Sequence, residues 1–171
     1  NMTTYFGRIY QMRYLTGIVA GSITKKNKLG FVGAKKDPQV CRGINAYYLG
    51  ILSVNPKADL KVIILDEWGE TADEKKAAEK LIREEGVDVL TYHTVHPVAI
   101  EVAEENDIYS IGFDGVMGNY SDKFLTAVLF HWGVLYQGIL QDYMRGSMED
   151  DYWRGASEGV VGLADLSPRV G

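Results

Sequence analysis

From Leu29 onward, short apolar runs alternate with amphipathic helical stretches, and this alternation constrains the fold more than any other feature of the chain. Leu29–Gly33, Leu60–Leu65, Val87–Tyr92 and Ile108–Phe113 read as strands, and Phe124–Leu129 as a short fifth. Between the first two, Pro38 opens a helix at its first turn, and Asn55-Pro56 stops it after Val54. Thr71 with Glu74 three residues later reads as a capping box. The helix behind it carries Ala77, Ala78, Leu81 and Ile82 on one face, and Gly86 fits its C-terminal cap. Pro97 opens a further helix with Val98, Val102 and Ala103 inward, and His131–Met144 reads as another. Strand, helix, strand at this spacing predicts an α/β fold with a doubly wound, mostly parallel sheet. The strands are β-branched and almost continuously apolar, as expected when helices cover both faces.

The two ends fit that layout poorly. Tyr5–Thr24 reads as a helix, with Phe6, Ile9, Tyr10, Arg13 and Gly17 at helical spacing and small residues at Gly17, Ala20 and Gly21 that permit close packing. Trp153–Gly171 is Gly-rich and reads as extended. Residues 1–27 are therefore expected to belong to, or bridge from, another unit. Residues 28–152 form the α/β ligand-binding lobe, and 153–171 return towards that other unit.

Several function classes fall away. Lys plus Arg number 18 against 23 Asp plus Glu, a net charge of −5, which argues against a nucleic-acid binder. Cys41 is the only cysteine, so neither an internal disulfide nor a thiolate zinc cluster can form. His93 and His96 are three apart, but Pro97 starts a helix directly after them, so the pair straddles a loop and no metal site is expected. Gly155-Ala156-Ser157-Glu158-Gly159 has the Gly-x-Ser-x-Gly spacing, but it lies in the Gly-rich tail with no helix behind it and does not read as a nucleophile elbow, and no phosphate-binding Gly-x-x-x-x-Gly-Lys-Ser/Thr loop is present. Gly30–Ala34 does not match Gly-x-Gly-x-x-Gly, so a nicotinamide cofactor has little support and no cofactor is expected. The first residues show no basic region followed by an apolar run. Tyr10–Ile23, broken by Gln11 and Arg13, falls short of the ~20 apolar residues of a membrane span.

In open α/β sheets ligands bind beyond the carboxyl ends of the strands. Trp68 follows the second strand, His93 and Thr94 the third, Asp114 the fourth, and Phe130, His131 and Trp132 the fifth. Aromatic rings with a histidine and an aspartate suit a flat, hydrogen-bonding small molecule. Each has a plainer role open to it. Trp68 can be a half-exposed residue at a helix start and Asp114 can cap a turn. His93 can satisfy a backbone group, and Phe130 and Trp132 can pack in the core.

A series of segments spread over the whole chain resembles the basic membrane protein (BMP) family of ABC-transporter substrate-binding lipoproteins, which includes purine-nucleoside binders. They are Tyr5–Gln11, Tyr14–Gly21, Asn27–Val32, Arg42–Ala46, Ser53–Pro56, Gly86–Val89, His93-Thr94, Tyr109–Asp114 and Gly159–Val161. The resemblance implies a type I periplasmic-binding-protein-like fold of two hinged lobes, of which this chain is mostly the second. It implies a binding protein and not an enzyme, closing on a purine base or nucleoside and presenting it to an ABC permease and its ATPase. It also implies an extracytoplasmic location, as a membrane-anchored lipoprotein or a periplasmic protein. Cys41, in mid-helix, is not the anchor cysteine. The family's stacking aromatic falls at or near Trp68 and its ribose-holding acid at Asp114. The lysine of the nucleoside binders falls at Phe130. Loss of that cation favours a free base, and Trp68, His93-Thr94 and Trp132 resemble the branch associated with bases such as adenine. Two alternatives remain at this level: the effector-binding domain of a regulator or sensor, and a nucleotide-processing enzyme using His93 and Asp114. With one wall of a cleft absent, the open face can also mediate self-association.

Overall fold

The computed structural model describes residues 2–68 and 71–171. In chain order the elements are β1 (Thr4–Gly7), α1 (Tyr10–Ile23), β2 (Lys28–Gly33), α2 (Pro38–Val54), β3 (Asp59–Ile64) and α3 (Thr71–Arg83). Then come β4 (Val89–His93), α4 (Val98–Glu105), β5 (Tyr109–Phe113), β6 (Phe124–Phe130), α5 (Trp132–Arg145), β7 (Asp151–Arg154) and β8 (Val161–Leu163). The main sheet runs β3-β2-β4-β5-β6-β8, all parallel except β8, which joins β6 antiparallel. The expected α/β architecture is present. The first β-α-β unit turns one way from β2 and the rest turn the other, so the chain reverses between β2 and β4.

Helices cover both faces. Leu29, Phe31, Val89, Ile111 and Leu125 point to the side of α1 and α2, where Ala20, Tyr47 and Ile51 meet them. Val32, Leu90, Tyr92 and Val128 belong to the opposite layer with Ala77, Ala78, Leu81, Ile100 and Ala103 of α3 and α4. Asp37 caps α2, its carboxylate accepting from the backbone N–H of Gln39 at 2.8 Å and of Val40 at 3.1 Å. Asp88 ties the α1–β2 turn to β4: its carboxylate accepts from the Thr24 hydroxyl at 2.5 Å and from the N–H groups of Lys25 and Lys26 at 2.7 and 2.8 Å.

Three local readings change. Tyr5 and Phe6 lie in strand β1, not in the first helix, which starts at Tyr10. The strand forms because β7 pairs with it in parallel, Phe6 opposite Trp153, in a separate two-stranded sheet, a partner about 147 residues away that local periodicity does not show. Helix α1 packs on α2 through glycines: a Cβ at Gly17 would strike the Tyr47 carbonyl, and one at Gly50 the Tyr14 carbonyl. The final segment folds back as β8 beside β6, its place set by main-chain pairing from Val128 to Phe130. Thr71 lies inside α3, and Glu74 is buried facing Thr94, so burial rather than end-capping governs that carboxyl and pushes its pKa up.

Candidate functional site

The chain reverses between β2 and β4, the kind of switch point beyond whose strand ends ligands bind in open α/β sheets. The Ala34 N–H donates to the His93 carbonyl at 3.0 Å and extends the pairing of those two strands. His93, last residue of β4, stands buried at that switch point.

The structure brings the five singled-out residues to one edge, through a residue that sequence reasoning treated only as part of a strand. Trp68, in the bend after β3, is 40% exposed and meets the His93 ring edge-on at 5.9 Å. His93 lies against Phe113 at 3.9 Å, and Phe113 meets Phe130 edge-on at 6.4 Å. Phe130 stacks on Trp132 at 4.5 Å with an interplanar angle of 14°. Asp114 is next in the chain; its N–H donates to the Val128 carbonyl at 2.8 Å, and its carboxylate accepts from the Phe130 N–H. Asp114 has φ 53° and Gly115 φ 148°. Aspartate tolerates the left-handed region better than bulky residues, and this turn sets the exposed carboxylate beside Phe130.

Phe130 and Trp132 have structural partners as well. Phe6 of β1 packs on both at 5.7 Å, and a Cβ at Gly7 would meet the Phe130 ring at 2.7 Å. Tyr136 stacks on Trp132 at 6.2 Å, and Tyr5 meets that tyrosine edge-on at 5.5 Å. These rings lie where the chain passes from β6 into α5, so they join the main sheet to the β1–β7 pair. Phe113, Phe6 and Arg13 are the neighbours missed from sequence. The every-second-residue register that sets Phe31, Thr91 and His93 on one face is the signal that could have found Arg13 beneath them.

Burial dominates the electrostatics. Only 1% of His93 is exposed, and desolvation followed by the Arg13 charge brings its pKa from 6.5 down to about 3. The unfolded chain protonates this imidazole near its ordinary value while the folded chain does not. Its contribution to stability is complete above about pH 6.5 and drains as pH falls towards about 3. His93→Phe is expected to flatten that part of the acid limb when stability is followed by urea unfolding against pH. Burial also raises the Asp114 pKa, while the Phe130 N–H opposes the rise by stabilising the carboxylate.

A groove of about 580 Å³ lies between β3 and α3, with Asp66, Glu67, Asp73, Lys76 and Lys80 in its lining. It includes neither Trp68, His93 nor Asp114, and its charged walls offer no stacking surface. The aromatic edge, with its convergent aspartate and imidazole, is the better candidate for a small-molecule site. Among the described residues no cluster of three or more His, Cys, Asp or Glu could hold a metal ion, and no helix is long and apolar enough to cross a membrane.

Residues 1–170 match the family described as PnrA-like ABC transporter substrate-binding proteins. The chain belongs to that family. It is thus a member of a group of substrate-binding proteins. A purine-binding protein of Brucella abortus is 37% identical over 98% of this chain and 48% of its own length. A Haloferax volcanii protein named as a putative ABC transporter glucose-binding protein is 36% identical over 99% of this chain and 44% of its own. The PnrA-like chain therefore spans about half the length of the curated relatives it matches. A solved transcriptional activator of the comK gene from Bacillus halodurans superposes with a TM-score of 0.81 at 24% identity, covering 99% of this chain and 59% of that one. The fold is periplasmic-binding-protein-like, as in solved ABC solute-binding proteins.

Proposed function

We propose that this chain supplies one wall of the ligand cleft in an extracytoplasmic ABC substrate-binding protein, and that the ligand is a purine base or a similar flat heterocycle. The observation that carries this reading is the half-exposed Trp68 ring set edge-on to a neutral imidazole, with the Asp114 carboxylate at the end of the neighbouring strand β5. A ring offers its face to Trp68 and its edge to polar groups. A sugar needs partners for many hydroxyls, and aromatic rings predominate at this edge. Between the two curated relatives, the chemistry of these side chains favours the purine binder's kind of ligand. Phe130, at the position of the nucleoside binders' lysine, is a ring already packed against Trp132, which supports a base over a nucleoside.

The same reading makes the protein two-lobed. Helix α5 buries only Leu135 and leaves Tyr136, Leu140, Tyr143 and Met144 uncovered, while β1 and β7 pair in a sheet of just two strands. Strands so few are unstable alone, and such apolar surface is normally covered. In this proposal β1, α5 and β7 belong to the other lobe, and closure of the two lobes presents the bound ligand to a permease. A lipid anchor outside these residues would tether the whole to the membrane.

The test is a tryptophan-fluorescence titration of the full-length protein with adenine, adenosine and glucose. Saturable quenching by adenine in preference to adenosine is the expected result. A glucose response with none to adenine overturns the reading. Asp114→Asn is expected to keep the fold, because asparagine also accepts a positive φ, and to weaken adenine binding by about 1–3 kcal/mol through a mispaired N–H. Unchanged affinity in that variant removes Asp114 from the site.

A further inference from the structure

Arg13 reaches from α1 under the sheet edge with no accessible surface, and among the described residues no carboxylate pairs with it. A buried cation without a counter-charge is costly, and it persists only where other groups solvate it. Two ring faces do so: the guanidinium carbon lies 5.0 Å from the Phe31 centroid and 4.9 Å from that of Phe113. Nη1 donates to the Thr91 hydroxyl at 3.0 Å, and that hydroxyl donates to the Ile111 carbonyl at 2.9 Å. Nη2 donates to the Tyr92 carbonyl at 2.5 Å. One helix side chain thus binds β4 and, through Thr91 and Phe113, β5, just below the candidate site.

One donor remains. Arg13 Nε is buried without a partner, and so are both ring nitrogens of His93. Arg13 Nε and His93 Nδ1 lie near one small space. A Cβ built on Gly43 of α2 would sit 3.6 Å from His93 Nδ1 and 3.9 Å from Arg13 Nε. Arginine is only ever a donor here, whereas a neutral imidazole has one donor nitrogen and one acceptor. A donor at His93 Nδ1 would leave two N–H groups facing a common space in a buried site. An acceptor there satisfies both through one water lodged where Gly43 has no side chain.

We propose that Arg13 is a positioning residue of the ligand site, holding His93 with Nδ1 as acceptor so that the imidazole carries its proton on Nε2. This rests on His93 facing the ligand in the proposed cleft. Nε2 is buried with the Trp68 ring beside it, so a shift of that ring is what brings its N–H to a ligand acceptor, such as a ring nitrogen or carbonyl, alongside an N–H for Asp114. Neutral nucleobases carry both. Around His93, Gly43 of α2, Trp68 of the bend after β3, Phe113 of β5 and Gly33 opposite it on β2 bring no charge, so among the described residues Arg13 is the charged group acting on the ring.

The experiment is nitrogen-15 NMR of the histidine rings in the full-length protein, wild type, Arg13→Lys and Arg13→Met, with and without adenine. In wild type, Nδ1 is expected unprotonated and Nε2 protonated, unchanged from about pH 7.5 to about pH 5. In Arg13→Met the His93 midpoint is expected to rise by about one pH unit or more. Adenine affinity in that variant is expected to fall roughly 3- to 10-fold once the pH lies about 0.3 to 1 unit below its own raised His93 midpoint, where wild type falls less. Arg13→Lys, which keeps the charge but not the Nε–H, is expected to lie between them. A wild-type Nδ1–H tautomer, or an Arg13→Met midpoint equal to wild type, overturns the proposal. The wild-type tautomer needs neither ligand nor variant, so it decides the matter even if Arg13→Met fails to fold. It also separates this inference from the identity of the ligand.

Discussion

Replacing Trp68 by alanine is expected to weaken ligand binding by about 1–3 kcal/mol, the scale of losing one base stack, or roughly 5- to 150-fold in affinity. The argument is geometric. The ring stands 40% exposed in a bend, touches the buried His93 edge-on, and lies outside both main core clusters. Its truncation therefore removes little packing, and the melting temperature should shift by only a few degrees. Isothermal titration of the variant with adenine, beside its thermal melt, separates the two quantities. Trp68→Phe should recover part of the loss, because a smaller ring still stacks. If Trp68→Ala binds as wild type does, the stacking role is wrong. If it unfolds instead, the tryptophan is a packing residue.

Gly17→Ala is expected to produce the largest stability loss, about 3 kcal/mol or more, because the new methyl must displace backbone and not a flexible side chain. The Cβ position at Gly17 collides with the Tyr47 carbonyl and lies 3.0 Å from the Ile51 nitrogen, both belonging to α2. Relief requires α1 to back away from α2. That movement would withdraw Arg13 from its two ring faces and its Thr91 and Tyr92 acceptors. A drop in melting temperature of roughly 6–12 °C follows at this chain length. Ala20, one turn further along, is fully buried, yet Ala20→Gly only opens space and should cost less, about 1–2 kcal/mol. Thermal unfolding of the pair tests the close approach of the two helices: equal losses would contradict it.

The two experiments bear on different layers of the same site. Trp68 acts where the ligand would lie, and Gly17 acts on the helix that carries Arg13 beneath His93. A ligand-binding loss in Gly17→Ala that exceeds its fraction unfolded would show that the helix contact supports the site as well as the fold.

Much of this protein is legible in its residue order, for a local reason. β2 and β4 to β6 are short and apolar on both faces, the edge strand β3 is apolar apart from Asp59 and Lys61, and Pro38 and Gly86 mark helix boundaries by their own backbone limits. Such signals act within a few residues, so strand and helix positions followed to within two or three residues, and with them the edge where Trp68, His93, Asp114, Phe130 and Trp132 gather. Family membership likewise followed from segments read in order. Tertiary structure alone decided the rest. Tyr5 and Phe6 have helical spacing but become a strand because β7 supplies the hydrogen bonds from the far end of the chain. Val161–Leu163 becomes an edge strand because the β6 edge is open to it. Arg13 reads in sequence as one polar residue on a helix, yet packing buries it between Phe31 and Phe113, next to a histidine made neutral by the same burial. Local sequence sets backbone preference through sterics and nearby hydrogen bonds. Desolvation and charge belong to whatever the folded chain brings within a few ångströms, and these depend on contacts that no local window contains.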